Sequence, residues 1–298
     1  MSSTYFDTAR TSQALLAHVA GWFGVRQASA PVEASDKSPI VRLKPSATPI
    51  GDIAARLEAE QQRSRQMERA LAQYVSPQVL ERLMADPDGL SRGSETRDVT
   101  VLFADLQGFT SLAEALKDNP GRLADLINAF LDPMTDIVLA HGGTIDKYMG
   151  DCVMAFWGAP DDDPAHAQHA FEAAQAMLAA MEAVDRRFRA ILAGEIDLPP
   201  VEIGISIGLN SGECVVGNLG SRRRFDYSVL GDPVNVASRL EGLCKTYDTP
   251  LLVGEETARR LGPEAGLTQA DHILLRGRKQ RLSAFRPARA TPSSELAA

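Results

Sequence analysis

Cysteine is scarce in this chain: 298 residues contain three, Cys152, Cys214 and Cys244. They are too few and too scattered for a disulfide framework or a zinc site, which points to reduced thiols and a cytoplasmic location. Long apolar runs are missing too. None approaches the roughly 18 to 20 residues that a membrane-spanning helix needs. The N-terminus lacks the charged, apolar and cleavage-site succession of a signal peptide. Nor is there an excess of positive charge. The formal net charge is −8 and the pI is near 5.2, which argues against a general nucleic-acid binder while leaving room for a nucleotide at a locally positive site. What is present is apolar material, 44% of the residues. That suffices for one large domain with extra segments, or for two small domains.

Four segments follow from the patterning. Residues 1–50 read as a flexible N-terminal segment with a short amphipathic helix. Leu15, Leu16, Val19, Trp22 and Phe23 share a helical face, and Pro, Ser and Ala dominate from residue 27. That face is a candidate contact for a membrane surface or a sensor partner, with a loosely ordered tail as the alternative. Residues 51–95 read as a helical linker or dimerisation segment, helical from Ile53 to about Met84. Leu57, Ser64 and Leu71 recur every seventh residue, a weak coiled-coil seam interrupted by Glu60 and Ser64; a solvated helix is the alternative. Residues 288–298 read as a disordered tail.

Between them, residues 96–287 alternate strands and helices. The strand-like runs are 98–104, 143–148, 152–157, 201–209, 213–218, 225–230, 250–253 and 268–275. The helix-like runs are 109–117, 120–140, 164–193, 232–247 and 255–261, with Pro133 an expected kink in the second. A strand, two helices, a hairpin, a helix and a strand predict an α/β (α+β) sandwich with helices packed on a mainly antiparallel sheet.

Asp105 and Asp151 are the most informative residues. Each lies at the edge of an apolar strand-like run, in Val99-Thr-Val-Leu-Phe-Ala-Asp105 and in Lys147-Tyr-Met-Gly-Asp151-Cys-Val-Met-Ala-Phe-Trp157. A carboxylate at the end of a buried strand needs a positive partner. Either one alone is adequately explained as a turn or helix cap. Two of them, with a Gly-Phe-Thr helix start just past the first, point to divalent ions facing a polyphosphate. Lys147, four residues before Asp151, would compete with those ions and so fits either a second site or the surface. In Gly231-Asp-Pro-Val-Asn-Val-Ala-Ser-Arg-Leu-Glu241, a proline-initiated helix places Asn235 and Arg239 one turn apart on one face. An amide and a guanidinium so held suit a sugar and a phosphoryl oxygen, or else form an ordinary solvated face.

Three motifs, Leu102-Phe-Ala-Asp-Leu-Gln-Gly-Phe-Thr110, Lys147-Tyr-Met-Gly-Asp-Cys152 and Gly231–Glu241, resemble in order those of the class III nucleotidyl cyclase catalytic domain. The resemblance covers residues 97–286. It implies a ferredoxin-like core sheet in a head-to-tail homodimer with shared active sites. Asp105 and Asp151 match the ligands of two ions, Mg²⁺ or Mn²⁺. The backbone of Leu106, Gln107, Gly108, Phe109 and Thr110 matches the triphosphate-binding loop. Lys147 matches the adenine-contacting lysine, where guanylyl cyclases usually have Glu. Asn235 matches the residue that orients the ribose, and Arg239 the one that stabilises the transition state. Arg276, Arg278 and Lys279 are candidates for gripping the terminal phosphates, with Arg278 or Lys279 favoured.

One position departs from the pattern. Many adenylyl cyclases carry Asp seven residues before the Asn, and this chain has Ser228. Ser or Thr there resembles a subgroup in which several members respond to bicarbonate, which makes bicarbonate a candidate regulator. Tyr74-Val-Ser-Pro-Gln-Val-Leu-Glu-Arg-Leu83 resembles the segment that joins sensory modules to bacterial cyclase domains. The resemblance implies an adenylyl cyclase that converts ATP to cyclic AMP and pyrophosphate. The alternatives are a guanylyl cyclase, disfavoured by Lys147, and a silent nucleotide-binding regulator, disfavoured because every catalytic position is filled. No side chain stands out as the general base.

Overall fold

The computed structural model describes residues 50–86, 93–193, 203–221, 223–273 and 281–288. The predicted amphipathic helix at 11–24 lies outside the described residues. Two compact units divide at Ser91/Arg92. In the first, α1 (Ile50–Leu71) and α2 (Pro77–Ala85) replace the single helix expected from Ile53 to Met84. The break is at Ser76, whose ψ of 146° is extended, because the ring of Pro77 disfavours helical backbone before it. Leu57 of the expected seam is 55% exposed.

The second unit is built on an eight-stranded sheet. Its elements are β1 (Ser94–Gln107), α3 (Phe109–Ala115), α4 (Pro120–Ala140), β2 (Thr144–Met149), β3 (Cys152–Trp157), α5 (His166–Leu192), β4 (Gly204–Ser221), β5 (Arg224–Leu230), α6 (Asp232–Leu243), β6 (Leu251–Gly254), α7 (Glu255–Leu261), β7 (Leu267–Ile273) and β8 (Leu282–Pro287). The strand order is β2-β3-β1-β4-β6-β8-β7, with β5 also paired to β4. Every pairing is antiparallel except β4 with β6. The first four strands, with helices after β1 and β3, form the expected ferredoxin-like core.

Two differences from the sequence reading stand out. Residues 201–209 and 213–218 were expected as two strands, but β4 runs unbroken through Asn210-Ser211-Gly212. Polar groups there are satisfied at long range: Asn210 donates to the Pro233 carbonyl, and the Ser211 hydroxyl bonds those of Thr100 and Thr257. The strand β8 was not expected at all; it is held by its ladders to β6 and β7.

Alternation along β1 sorts its side chains onto two faces. Leu102, Ala104 and Leu106 join a core with Leu126, Phe130, Met134 and Val138 of α4 and Phe171, Met177 and Phe188 of α5. The four α4 residues are four apart, the spacing of one helical stripe. Each large apolar side chain so buried contributes about 1.5–3 kcal/mol relative to exposure. The helix α4 continues through Pro133. Val99, Val101 and Phe103 face the other way, toward Ala237 of α6.

The helix α6 lies against β4 and β1, and Gly208 permits the approach. A Cβ added there would stand 2.1 Å from the Ala237 carbonyl oxygen and 2.3 Å from the Glu241 nitrogen. Neither backbone atom can yield, so Gly208→Ala must lift the helix. We expect a loss of about 1–3 kcal/mol or more, at roughly 2–4 °C of melting temperature per kcal/mol for a domain of this size. An unchanged melting curve would refute this account of how α6 is seated.

Candidate functional site

Register brings the two principal carboxylates together. On β1, Asp105 faces Cys152 of β3 on one side and Ser206 of β4 on the other. Cys152 follows directly on Asp151 in the two-residue turn between β2 and β3. Gly150 takes the left-handed backbone (φ 70°) that such a tight turn uses. By alternation after Val99, Val101 and Phe103, Asp105 lies on the α6 side of the sheet.

Its surroundings are electrostatically strained. Burial, and then the charge of Asp151, push Asp105 up to about 6, against the pull of Lys245. Burial also raises Asp151. Glu241 on α6 is pushed up to about 7 by burial and by the Asp105 and Asp151 charges, with Lys245 again opposing. Glu241 closes the third sequence motif, yet no role was assigned to it. Its nearness to Asp105 depends on α6 crossing the sheet at Gly208. Three carboxylates against one ammonium leave negative charge uncompensated. Hard oxygen donors of this kind fit Mg²⁺ or Mn²⁺, which are commonly held by one or two carboxylates together with substrate phosphates. Glu241 is felt electrostatically but does not complete a ligand set, for among the described residues no group of three His, Cys, Asp or Glu side chains could hold an ion.

The loop after β1 offers backbone rather than side chains. Leu106 and Phe109 are buried in the core, and the Gln107 amide is turned onto the Ser206 hydroxyl at 2.7 Å. Gly108 is left-handed (φ 85°) and begins α3 without a side-chain cap. Only the first N–H groups of the helix and the exposed Thr110 remain to meet an anion.

A second cluster forms where β2 approaches β5. The β2–β3 ladder pairs Ile145 with Ala155 and Lys147 with Met154, leaving Asp146 as an extra residue in a bulge. A bulge re-aims a side chain, and here it turns the Asp146 carboxylate, fully buried, toward β5. Its Oδ2 accepts from the Ser228 hydroxyl at 2.6 Å and from the Val229 N–H at 3.3 Å. Its Oδ1 has no well-aligned hydrogen bond but lies 3.1 Å from the Lys147 ammonium, itself 41% exposed. Lys147 and Ser228, singled out separately in the sequence, therefore meet through a residue that was not singled out.

On α6, Asn235 is exposed and makes only a long 3.4 Å bond to the Gly231 carbonyl, while Arg239 is half-buried. Among the described residues no hydrogen bond or ion pair joins Lys147, Asn235 or Arg239 to Asp105 or Asp151. The candidates thus fall into two groups. Arg278 and Lys279 lie outside the described residues.

Cys152, Cys214 and Cys244 are free and buried, their thiols raised to about 12, about 11 and about 12, chiefly by burial. No helix among the described residues is long and apolar enough to cross a membrane.

Comparison with known proteins shows the family. The family described as the adenylate and guanylate cyclase catalytic domain matches residues 92–285. Adenylate cyclase 1 of Rhizobium meliloti (strain 1021) is 34% identical over 212 residues, which are 69% of this chain and 30% of that protein. The adenylate cyclase of Anabaena cylindrica is 32% identical over 224 residues, 74% of this chain and 42% of that protein. This chain thus spans less than half the length of either relative. Among solved structures, the adenylyl cyclase CyaB from P. aeruginosa superposes with a TM-score of 0.59 at 33% identity, covering 67% of this chain and 97% of that one. The guanylyl cyclase Cya2 gives 0.56 at 30% identity, covering 68% and 98%.

Proposed function

Because the chain belongs to the adenylate and guanylate cyclase catalytic-domain family, we propose that it is an adenylyl cyclase. It would convert ATP to 3′,5′-cyclic AMP and pyrophosphate, acting as a cytoplasmic homodimer. The observation that carries this reading is the Asp105–Asp151 pair, two partly buried carboxylates that register places at one strand end and whose pKa values are both raised. Residues 96–287 would be the catalytic domain and 51–95 the linker through which a signal reaches it.

In this reading Asp105 and Asp151 hold two Mg²⁺ or Mn²⁺ ions. When bound, these neutralise the triphosphate and acidify the ribose 3′-hydroxyl. The backbone of Leu106–Thr110 receives phosphate oxygens at the start of α3. Lys147 and Ser228 take the base, and Asn235 orients the ribose so that its 3′-oxygen lies in line with the α-phosphorus. Arg239 meets the charge that builds on the α-phosphoryl oxygens with planar, permanently charged donors. Arg278 or Lys279 grips the terminal phosphates.

The lack of any direct bond between the two groups among the described residues is what sites shared between protomers would give, with Asp105 and Asp151 from one and Lys147, Ser228, Asn235 and Arg239 from its partner. Exposed apolar side chains offer a surface for that pairing: Tyr148 and Met149 near the β2–β3 turn, Val215 and Leu230 facing each other on β4 and β5, and Phe225.

A guanylyl cyclase is the second reading, favoured by the likeness to Cya2 and opposed by Lys147. Metal-dependent turnover of ATP and GTP separates the two, and we expect ATP to be preferred. Lys147→Glu combined with Ser228→Cys should then lower kcat/KM for ATP at least tenfold relative to GTP, because a mismatched polar edge is poorly tolerated in a closed pocket. An unchanged ATP/GTP ratio in the double variant would refute the assignment of the base pocket.

A further inference from the structure

Ser228 alone is an ambiguous reader of a purine. A hydroxyl has one proton to donate and two lone pairs to accept with. It can therefore serve the exocyclic amine of adenine, a donor, or O6 of guanine, an acceptor. The Lys147 ammonium can donate to an acceptor on either base, so what it says against a guanylyl cyclase comes from the family pattern and not from its own hydrogen-bonding capacity. Yet the Ser228 hydroxyl in this structure is not unconstrained. Its proton is committed to Oδ2 of Asp146 at 2.6 Å, and the Val229 N–H at 3.3 Å helps to anchor the same oxygen. The carboxylate side chain is fully buried, and its other oxygen lies 3.1 Å from the Lys147 ammonium.

We infer that Asp146 is a positioning residue for base selection, which by taking the Ser228 proton leaves that hydroxyl only lone pairs to present to the purine and favours the adenine amine over the guanine carbonyl. A bulge in β2 delivers that carboxylate, which also lies beside Lys147, and its effect on base choice runs through Ser228. The inference rests on the adenylyl cyclase reading above and supplies it with a reason for specificity at a position where the side chain itself is neutral. The physical demand is strict. A buried carboxylate cannot donate when ionised, so the hydroxyl between it and the ligand is polarised one way.

The test is the ATP/GTP ratio of kcat/KM in the intact protein. In Asp146→Asn the charge that polarises the Ser228 hydroxyl is gone, so its proton is held less firmly and the hydroxyl can also donate to the base. The ratio should fall at least tenfold, with GTP turnover held or raised. Loss of activity on both nucleotides with the ratio unchanged would mean a merely structural role and would overturn the inference. Ser228→Ala should lower the ratio to a similar extent, and adding Asp146→Asn to it should change the ratio no further. A second, independent fall in the double variant would show that Asp146 does not act through Ser228, and would also overturn the proposal. Should Asp146→Asn not fold, Ser228→Thr and Ser228→Ala decide it. Threonine keeps the hydroxyl and should keep the ratio, alanine should lose it, and equal ratios in the two would refute the proposal. These failures are distinct from failure of the adenylyl reading, which a wild-type preference for GTP would bring down by itself.

Discussion

Asp105→Asn should abolish turnover and at the same time make the metal-free protein more heat-stable. The two effects have one cause. The carboxyl is raised from 3.8 to about 6 by burial and by Asp151, so the folded state holds its proton more tightly than the unfolded chain. Its stabilising contribution is therefore complete below about pH 4 and is lost as pH rises through 6. At neutral pH without metal the ionised group opposes folding, and a neutral amide removes that opposition. Glu241, raised from 4.5 to about 7, extends the decline toward neutrality. Mg²⁺ or Mn²⁺ should reverse this for the wild type, since a ligand that binds only the folded state stabilises it by mass action. The variant should gain much less from metal. Catalytically, losing a charged ligand removes several kcal/mol of charge stabilisation, on the order of a thousandfold in rate, and Asp151→Asn should behave alike. Melting curves with and without metal between pH 4 and 8, alongside turnover of ATP, check all of this. Near-wild-type turnover in either variant would show that the metal assignment is wrong.

The second large effect is a recovery. Asp105→Ala and Asn235→Ala should each be inactive alone and regain activity when mixed. If Asp105 and Asn235 of one site come from different protomers, a mixed dimer has one site with both lesions and one with neither. Random pairing makes half the dimers mixed and leaves half of their sites intact, so about a quarter of wild-type activity should return. A site built within one chain would keep one lesion everywhere and recover nothing. The decisive measurement is activity after co-expression, with mixed dimers isolated by a tag on each variant. Inactive mixed dimers would overturn the shared-site arrangement.

Much of the fold was legible because its signals are local. The stripe Leu126, Phe130, Met134 and Val138 predicts α4 at the bounds it has, and the Met149-Gly-Asp-Cys152 break predicts the hairpin. Asp105 and Asp151 could be found because each ends an apolar run. What failed had long-range causes. Asn210-Ser211-Gly212 reads as an interruption, yet β4 passes through it because Pro233, Thr100 and Thr257 satisfy its polar groups from other elements. Nothing in Leu282–Pro287 announces a strand until β6 and β7 lie beside it.

By itself, then, the sequence determined the residue types that chemistry needs and their placement at strand and helix ends, because those are set by periodicity over a few residues. Only the tertiary structure decided which of them meet. Asp105 and Asp151 share a strand end because β1 pairs with β3 in one register. Glu241 feels them because Gly208 lets α6 lie directly on the sheet. Ser228 and Lys147 converge on Asp146 because a single bulge turns a carboxylate inward toward a strand 82 residues away. Such meetings depend on pairing between distant segments, and hydrogen-bond and charge energies act over ångströms in space whatever the separation along the chain.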